Sequence, residues 1–309
     1  MKNKFSFWFF IFPVMCFGFQ VTQEKDKKLS IEADYVGIWR NHLGNQAFLL
    51  NRVDGYPYFH TLSFKFDSGI RGMIEVNPTR KDSLQFIYEG LFHWDNSGSL
   101  TSDNVFSVST NPYENTDWTL FSTFSYQYKA DLNWGEALYW RHITERYKDW
   151  FSFSCGGGLR YNDLRDRIYM VADGSNNAHV TAVNHMCGAE GALEFLITAV
   201  PLLSFGVQGK GAVYANVVRK GVCFQESDDT ATIVSEKMTK TNAAYTIEAM
   251  PYMLVQMNPF YLRVAYNNIL FFNTVPAPNQ VWPGKSLNLV YPHKQVYIQS
   301  LIAGLGFAW

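Results

Sequence analysis

Apolar and polar residues alternate with period two along almost the whole chain, and few folds can use that pattern on this scale. In the segment from Ser83, one face carries Leu84, Phe86, Tyr88, Phe92 and Trp94, and the other carries Gln85, Ile87, Glu89 and His93. From Phe124, the row Tyr126, Tyr128, Ala130, Leu132 and Trp134 opposes Ser125, Gln127, Lys129, Asp131 and Asn133. From Phe151, the set Phe153, Cys155, Leu159 and Tyr161 opposes Ser152, Ser154, Arg160 and Asn162. The last segment alternates Leu301, Ala303, Leu305, Phe307 and Trp309 with smaller residues. A helix repeats every 3.6 residues and would not keep this period over ten positions. These are strands with one apolar face.

The pattern predicts about ten strands (eight to twelve), over 30–40, 67–77, 82–94, 120–141, 149–163, 178–198, 202–220, 241–256, 259–272 and 294–309. Their connections alternate. Short ones lie at 77–81, 142–148, 199–201 and 257–258. Long ones, rich in Asn, Asp, Ser, Gly and Pro, lie at 41–66, 95–119, 164–177, 221–240 and 273–293. A soluble sandwich has no reason to sort its loops by parity. A transmembrane barrel does, with tight periplasmic turns and long outer loops. The expected fold is all-β: a transmembrane antiparallel up-and-down β-barrel in the bacterial outer membrane.

The N-terminus agrees with export. Met1 to Lys4 is basic, Phe5 to Phe19 is nearly all apolar, and charges return at Glu24. Fifteen apolar residues suit a secretory signal better than a bilayer-spanning helix, which needs about 20. The expected organisation is a signal peptide at 1–18, a short periplasmic segment at 19–29 and one barrel domain at 30–309. After residue 19 no run of 18 apolar residues occurs, so any crossing must be made by a closed barrel.

Composition then excludes classes. Charged residues make up 17% and aromatics 17%, against roughly 25% charged in an ordinary soluble domain. Disorder is excluded by the aromatic load, and a net charge of -1 argues against nucleic acid as a partner. Cleavage would leave Cys155, Cys187 and Cys223, an odd number that makes no disulfide framework. No Cys/His spacing marks a metal site. Gly156 to Gly158 sits inside a strand, where glycine marks a bulge or close packing rather than a phosphate loop.

Strand charges should point inward, because a basic side chain in hydrocarbon costs roughly 2–4 kcal/mol at the midplane. That makes Glu89, Lys129, Asp131, Arg160, Lys210, Glu248 and Arg263 the expected lumen-facing residues. No sign dominates, so they either line a narrow pore or pair into a network that closes the lumen. Ten strands lie near the filled end of the range. Phe307 and Trp309, aromatic and on the apolar face of the closing strand, form an expected assembly signal for the barrel-assembly machinery. The seven histidines show no nucleophile, base or metal spacing, although His93 has Asp95 near it in sequence. No catalytic residue, cofactor or metal is expected.

Several segments resemble the beta-barrel porin-7 family of planctomycetes and chlamydia-like bacteria. They are Ile31 to Tyr35 through Trp39, Ser68 to Gly72, Gly158 to Tyr161, Asn184 to Gly191 with Glu190 where the family tends to have Gln, and Gly209 to Asn216. The chain is similar, second, to the Legionella-type major outer-membrane protein family. The resemblance covers nearly the whole mature chain. It implies an outer-membrane barrel regarded as a porin by analogy, and implies no catalytic residues. The functional expectation is a porin-like barrel for passive diffusion of small solutes, or an element of envelope structure. The alternative is a structural or adhesive surface protein with a closed lumen, its loops at 94–118 and 275–282 binding a partner. An outer-membrane hydrolase ranks below both. Partners would be outer-membrane lipid, the assembly machinery and small solutes.

Overall fold

The computed structural model describes residues 28–42, 47–51, 57–59, 66–107, 121–144, 150–173, 176–225, 232–277 and 294–309. The expected signal peptide lies outside these residues. The strands are β1 (Leu29–His42), β2 (Ala47–Asn51), β3 (Pro57–Phe59), β4 (Asp67–Val76), β5 (Asp82–Ser107), β6 (Phe121–His142), β7 (Phe151–Ala172), β8 (Asn176–Val200), β9 (Leu203–Gln225), β10 (Thr232–Met257), β11 (Phe260–Thr274) and β12 (Lys294–Ala308). All pairings are antiparallel. β1 pairs with both β4 and β12, so ten strands close into a barrel. The small hairpin β2–β3 is an addition that pairs with the far end of β5. The expected fold and strand count hold.

Four strands run at least five residues further than expected, β9 to Gln225 among them. β5 continues to Ser107, β7 to Ala172, and β10 begins at Thr232, so parts of the expected outer loops are wall. Strands of 22–26 residues, at about 3.4 Å per residue and a tilt near 40°, rise roughly 60 Å, against an apolar band about 25 Å tall. About half of the wall on the β5–β10 side therefore stands clear of the membrane.

The girdle is visible along β7. Trp150, 74% exposed, marks its lower edge, and Tyr161, 45% exposed, its upper edge. That separation matches the 9–11 residues of a membrane-crossing strand. Between them, and on neighbouring strands, Leu159, Phe195, Val207, Ile247 and Leu305 face outward. Phe307 and Trp309 also face outward near the turn end, with Phe307 packed on Phe260 at a 5.2 Å centroid distance.

Above the girdle the pattern inverts. On β6 the outward row runs from Tyr139, Ala137 and Gly135 to Asn133, Asp131 and Lys129, while the inward row runs from His142, Trp140, Leu138 and Glu136 to Trp134, Leu132, Ala130 and Tyr128. Inside the membrane the outer medium is hydrocarbon, so apolar side chains face out. Above it the outer medium is water, so they face in. The strand does not rotate: on β6 odd-numbered residues face out and even-numbered ones face in throughout, and it is the chemistry of each row that follows the medium. The upper interior is a packed apolar core that includes Phe92, Trp94, Phe124, Tyr128, Leu164 and Ile168.

On β5 a bulge makes the exchange. The register slips between Glu89 and Phe92, and Leu91 takes a left-handed φ of 66° that non-glycine residues seldom adopt. Asn133 Oδ1 accepts the orphaned Leu91 N–H at 3.0 Å, and Asp67 accepts the His93 N–H. Phe92 and Trp94 therefore point inward, not to the lipid.

The outer end of β7 is capped by Asp173, whose Oδ1 accepts from the backbone N–H groups of Ser122 and Thr123, both at 2.9 Å, and from their hydroxyls. Partial burial works against the charged form, but these donors outweigh it and hold the carboxyl below its ordinary value. A depressed folded pKa means the contribution is present above about pH 4 and is lost as pH falls through the folded value. Amide exchange at Ser122 and Thr123, corrected for intrinsic rate, should accelerate below pH 4 in the wild type. In Asp173→Asn, whose amide oxygen keeps one acceptor, it should show no such acid step.

Candidate functional site: the lumen

The lower lumen is an ion cluster in two parts. In one, Arg71 on β4 reaches Glu32 on β1 at 2.7 Å, Asp34 beside it, and Glu89 on β5 at 3.8 Å; Arg263 on β11 meets Glu32 from the far side at 3.3 Å. In the other, Arg160 Nη1 on β7 is shared by Glu248 at 2.6 Å, Glu190 at 3.1 Å and Glu136 at 3.4 Å, and Lys210 on β9 pairs with Glu136. Asn267 donates to Glu248 at 3.0 Å, and Tyr252 to Glu194 at 2.7 Å. All these side chains are buried. Charge removed from water on this scale persists only when partners surround it. Four of these contacts, Arg263–Glu32, Arg160–Glu248, Lys210–Glu136 and Tyr252–Glu194, join strands that are not neighbours, so they brace the wall as well as fill it.

Small residues make the room. A Cβ on Gly156 would meet the Trp140 ring at 2.9 Å, so glycine there admits the indole, which donates to Gln85 at 3.2 Å. The close-packing reading of that glycine run holds. Above the ion cluster the apolar core is crossed by one staple: Arg40 on β1 reaches Asp166 on β7 at 2.6 and 2.9 Å, with both groups fully buried. The Arg40 guanidinium also lies over the Trp94 ring at 5.8 Å. After β11 the chain folds inward, where Asn184 holds the Val275 backbone by two hydrogen bonds of 3.0 Å. Val275 and Ala277 are fully buried.

Of the expected lumen residues, Glu89, Arg160, Lys210, Glu248 and Arg263 face inward and are buried. Lys129 and Asp131 do not. They lie on the outer surface above the girdle, where Asp131 pairs with His93 and Arg167, and Lys129 lies 4.0 Å from Asp95. The assumption that β6's apolar row faces lipid fails there, because that stretch stands in water. His93 accordingly partners Asp131 rather than Asp95. The expectation of an exposed aromatic loop also fails at its first residue, since Trp94 is buried; Trp118 and Trp282 lie outside the described residues. Sequence reasoning missed Glu32, Asp34, Arg71, Glu136 and Glu190. The signal was present in the alternation Ile31-Glu-Ala-Asp-Tyr35 and in Glu136 falling in phase with Trp134.

Glu136, Glu190 and Glu248 bring carboxylate oxygens within 4.8 Å of one another, a spacing that could hold a metal ion. Here Arg160 and Lys210 stand among them and supply the positive charge. Cys155, Cys187 and Cys223 are free thiols.

A closed wall, an apolar girdle and tight turns on the side of the chain ends make this an outer-membrane barrel. No protein-family model and no curated protein matches the chain. Among solved structures it is similar to the translocator domain of the autotransporter NalP from Neisseria meningitidis (11% identity, 92% of this chain and 90% of that one, TM-score 0.47). It is also similar to the outer membrane protease OmpT from Escherichia coli (11%, 91% and 97%, TM-score 0.45) and to the outer membrane protein OprG from Pseudomonas aeruginosa (8%, 92% and 96%, TM-score 0.32).

Proposed function

We propose that the chain is an outer-membrane barrel with a closed lumen, whose working surface is the half that stands outside the membrane. The observation that carries this reading is the double filling of the interior, by the Arg160 and Arg71 ion clusters at girdle level and by the apolar core stapled by Arg40 and Asp166 above it. A diffusive pore needs a continuous polar path, and an apolar core across the upper half opposes one. The tall outer wall suits a structural or adhesive role at the cell surface. The resemblance to the porin-7 family supports the second reading, passive diffusion of small solutes.

Single-channel recording separates them. Purified, refolded protein in a planar bilayer should give no steady unit currents while keeping heat-modifiable migration. Steady open currents would return the assignment to the porin reading. Should such currents occur, Lys129→Glu and Asp131→Lys should leave their reversal potential unchanged, because neither side chain reaches the interior.

A further inference from the structure

The buried charges at girdle level do not cancel. Arg71 and Arg263 face Glu32 and Asp34, two against two. Arg160 and Lys210 face Glu136, Glu190 and Glu248, two against three. Glu89 stands between the groups, 3.8 Å from Arg71 and within electrostatic reach of Glu136, Glu248 and Arg160. Six carboxylates thus meet four cations. Among the described residues, the other buried cations are Arg40 and Lys220, six and ten residues further out on the strands of Asp34 and Lys210. Nearer the turns lie buried Glu75 and Glu194, which bring more acid and no cation. Charge taken out of water at this depth needs neutralising partners.

The surplus is local, and it coincides with unused oxygens. Glu89 Oε1 and Glu190 Oε2 are buried and accept no hydrogen bond among the described residues. Glu89 is 2% exposed. Its strand register sets it inward one diagonal step from Glu136, since Glu89 opposes Trp134 and Ile87 opposes Glu136. Glu136, Glu190 and Glu248, from β6, β8 and β10, each bring an oxygen within 4.8 Å of the others. Calcium–oxygen bonds of about 2.3–2.6 Å place ligand atoms up to about 5 Å apart across the ion, whereas magnesium demands about 2.0–2.1 Å. A carboxylate can serve Arg160 with one lone pair and an ion with another.

We propose that the lumen binds one calcium-sized divalent cation, with Glu89 Oε1 and Glu190 Oε2 as its leading ligands and Glu136 and Glu248 completing the set. An all-carboxylate set selects a hard cation. Two positive charges there bring the girdle-level cluster to neutrality. Arg160 and Lys210 hold the three glutamates in position, but they leave one of them, and Glu89, unmatched.

The test is the calcium content of barrel refolded in detergent with calcium present and then desalted. Wild type should retain one calcium per chain. Glu89→Gln and Glu190→Gln, which keep size and remove one charge each, should weaken calcium about tenfold or more in equilibrium dialysis. Asp95→Asn, an exposed acid on the outer wall, is the control and should bind as wild type does. Terbium in place of calcium should show emission sensitised by Trp134, whose ring lies 5.6 Å from the Arg160 guanidinium, and Trp134→Phe should lose most of it. All variants are first shown to be folded by heat-modifiable migration. Calcium-free wild type would mean that protons meet the surplus, and it overturns the proposal. Wild-type affinity in both glutamine variants, equal loss in Asp95→Asn, or undiminished emission in Trp134→Phe overturns it too. Should the glutamine variants not refold, the calcium content of wild type and the terbium emission of wild type and Trp134→Phe decide.

Discussion

Replacing Arg160 with Met should cost the barrel about 3–5 kcal/mol, the scale for removing one partner from a buried ion cluster. Arg160 is the shared donor of Glu136, Glu190 and Glu248, so its loss leaves three buried carboxylates facing one remaining cation, Lys210. The methionine fills much of the volume, which makes the loss electrostatic more than steric. Arg160→Lys should recover only part of it, because a point charge cannot match the fork that several acceptors share. Adding Glu190→Gln to Arg160→Met should recover more, since it removes one of the stranded charges. The measurement is the urea midpoint of the folded band in each variant. An unchanged midpoint in Arg160→Met would mean that the cluster does not brace the wall.

Arg40→Met should show a loss of similar size, about 3–5 kcal/mol, by leaving Asp166 as a lone charge among apolar side chains. Here the double variant is the sharper experiment. In Arg40→Met/Asp166→Leu no charge remains to be buried, and apolar replacements of a buried pair are commonly neutral or stabilising by about 1–4 kcal/mol. The double variant should therefore unfold at or above the wild-type midpoint, although each single variant unfolds well below it. Additive losses would contradict the placement of Arg40 and Asp166 in a dry core.

Only part of this arrangement was legible in the chain. Alternation from Phe151 to Asn162 and from Ser300 to Trp309, with loop lengths sorted by parity, led to a ten-strand membrane barrel without any structure. Arg160, Lys210, Glu248, Glu89 and Arg263 were readable as inward because they lie on girdle-level stretches, where a strand charge has nowhere else to go. On β6 the same rule misplaced Lys129 and Asp131. The sequence period there is as regular as elsewhere; what changes at Trp134 to Glu136 is the medium outside the wall. On β5 a single extra residue at Leu91 did the equivalent, moving Phe92 and Trp94 inward.

The sequence by itself thus determined which residues share a face along each regular stretch of strand, because side-chain direction there follows from backbone geometry alone; the bulge at Leu91 was not legible in it. It determined the antiparallel order as well, through turns too short for anything but neighbouring strands. Which face meets lipid, water or lumen was decided only by the tertiary structure, since that depends on how high each residue stands relative to the membrane. The pairing of Arg160 on β7 with Glu248 on β10, and of Arg40 with Asp166 across the lumen, was likewise decided by closure. Those partners are 88 and 126 positions apart in sequence and sit on strands that are not neighbours, whereas Glu136 and Glu190 meet Arg160 from the two strands beside it.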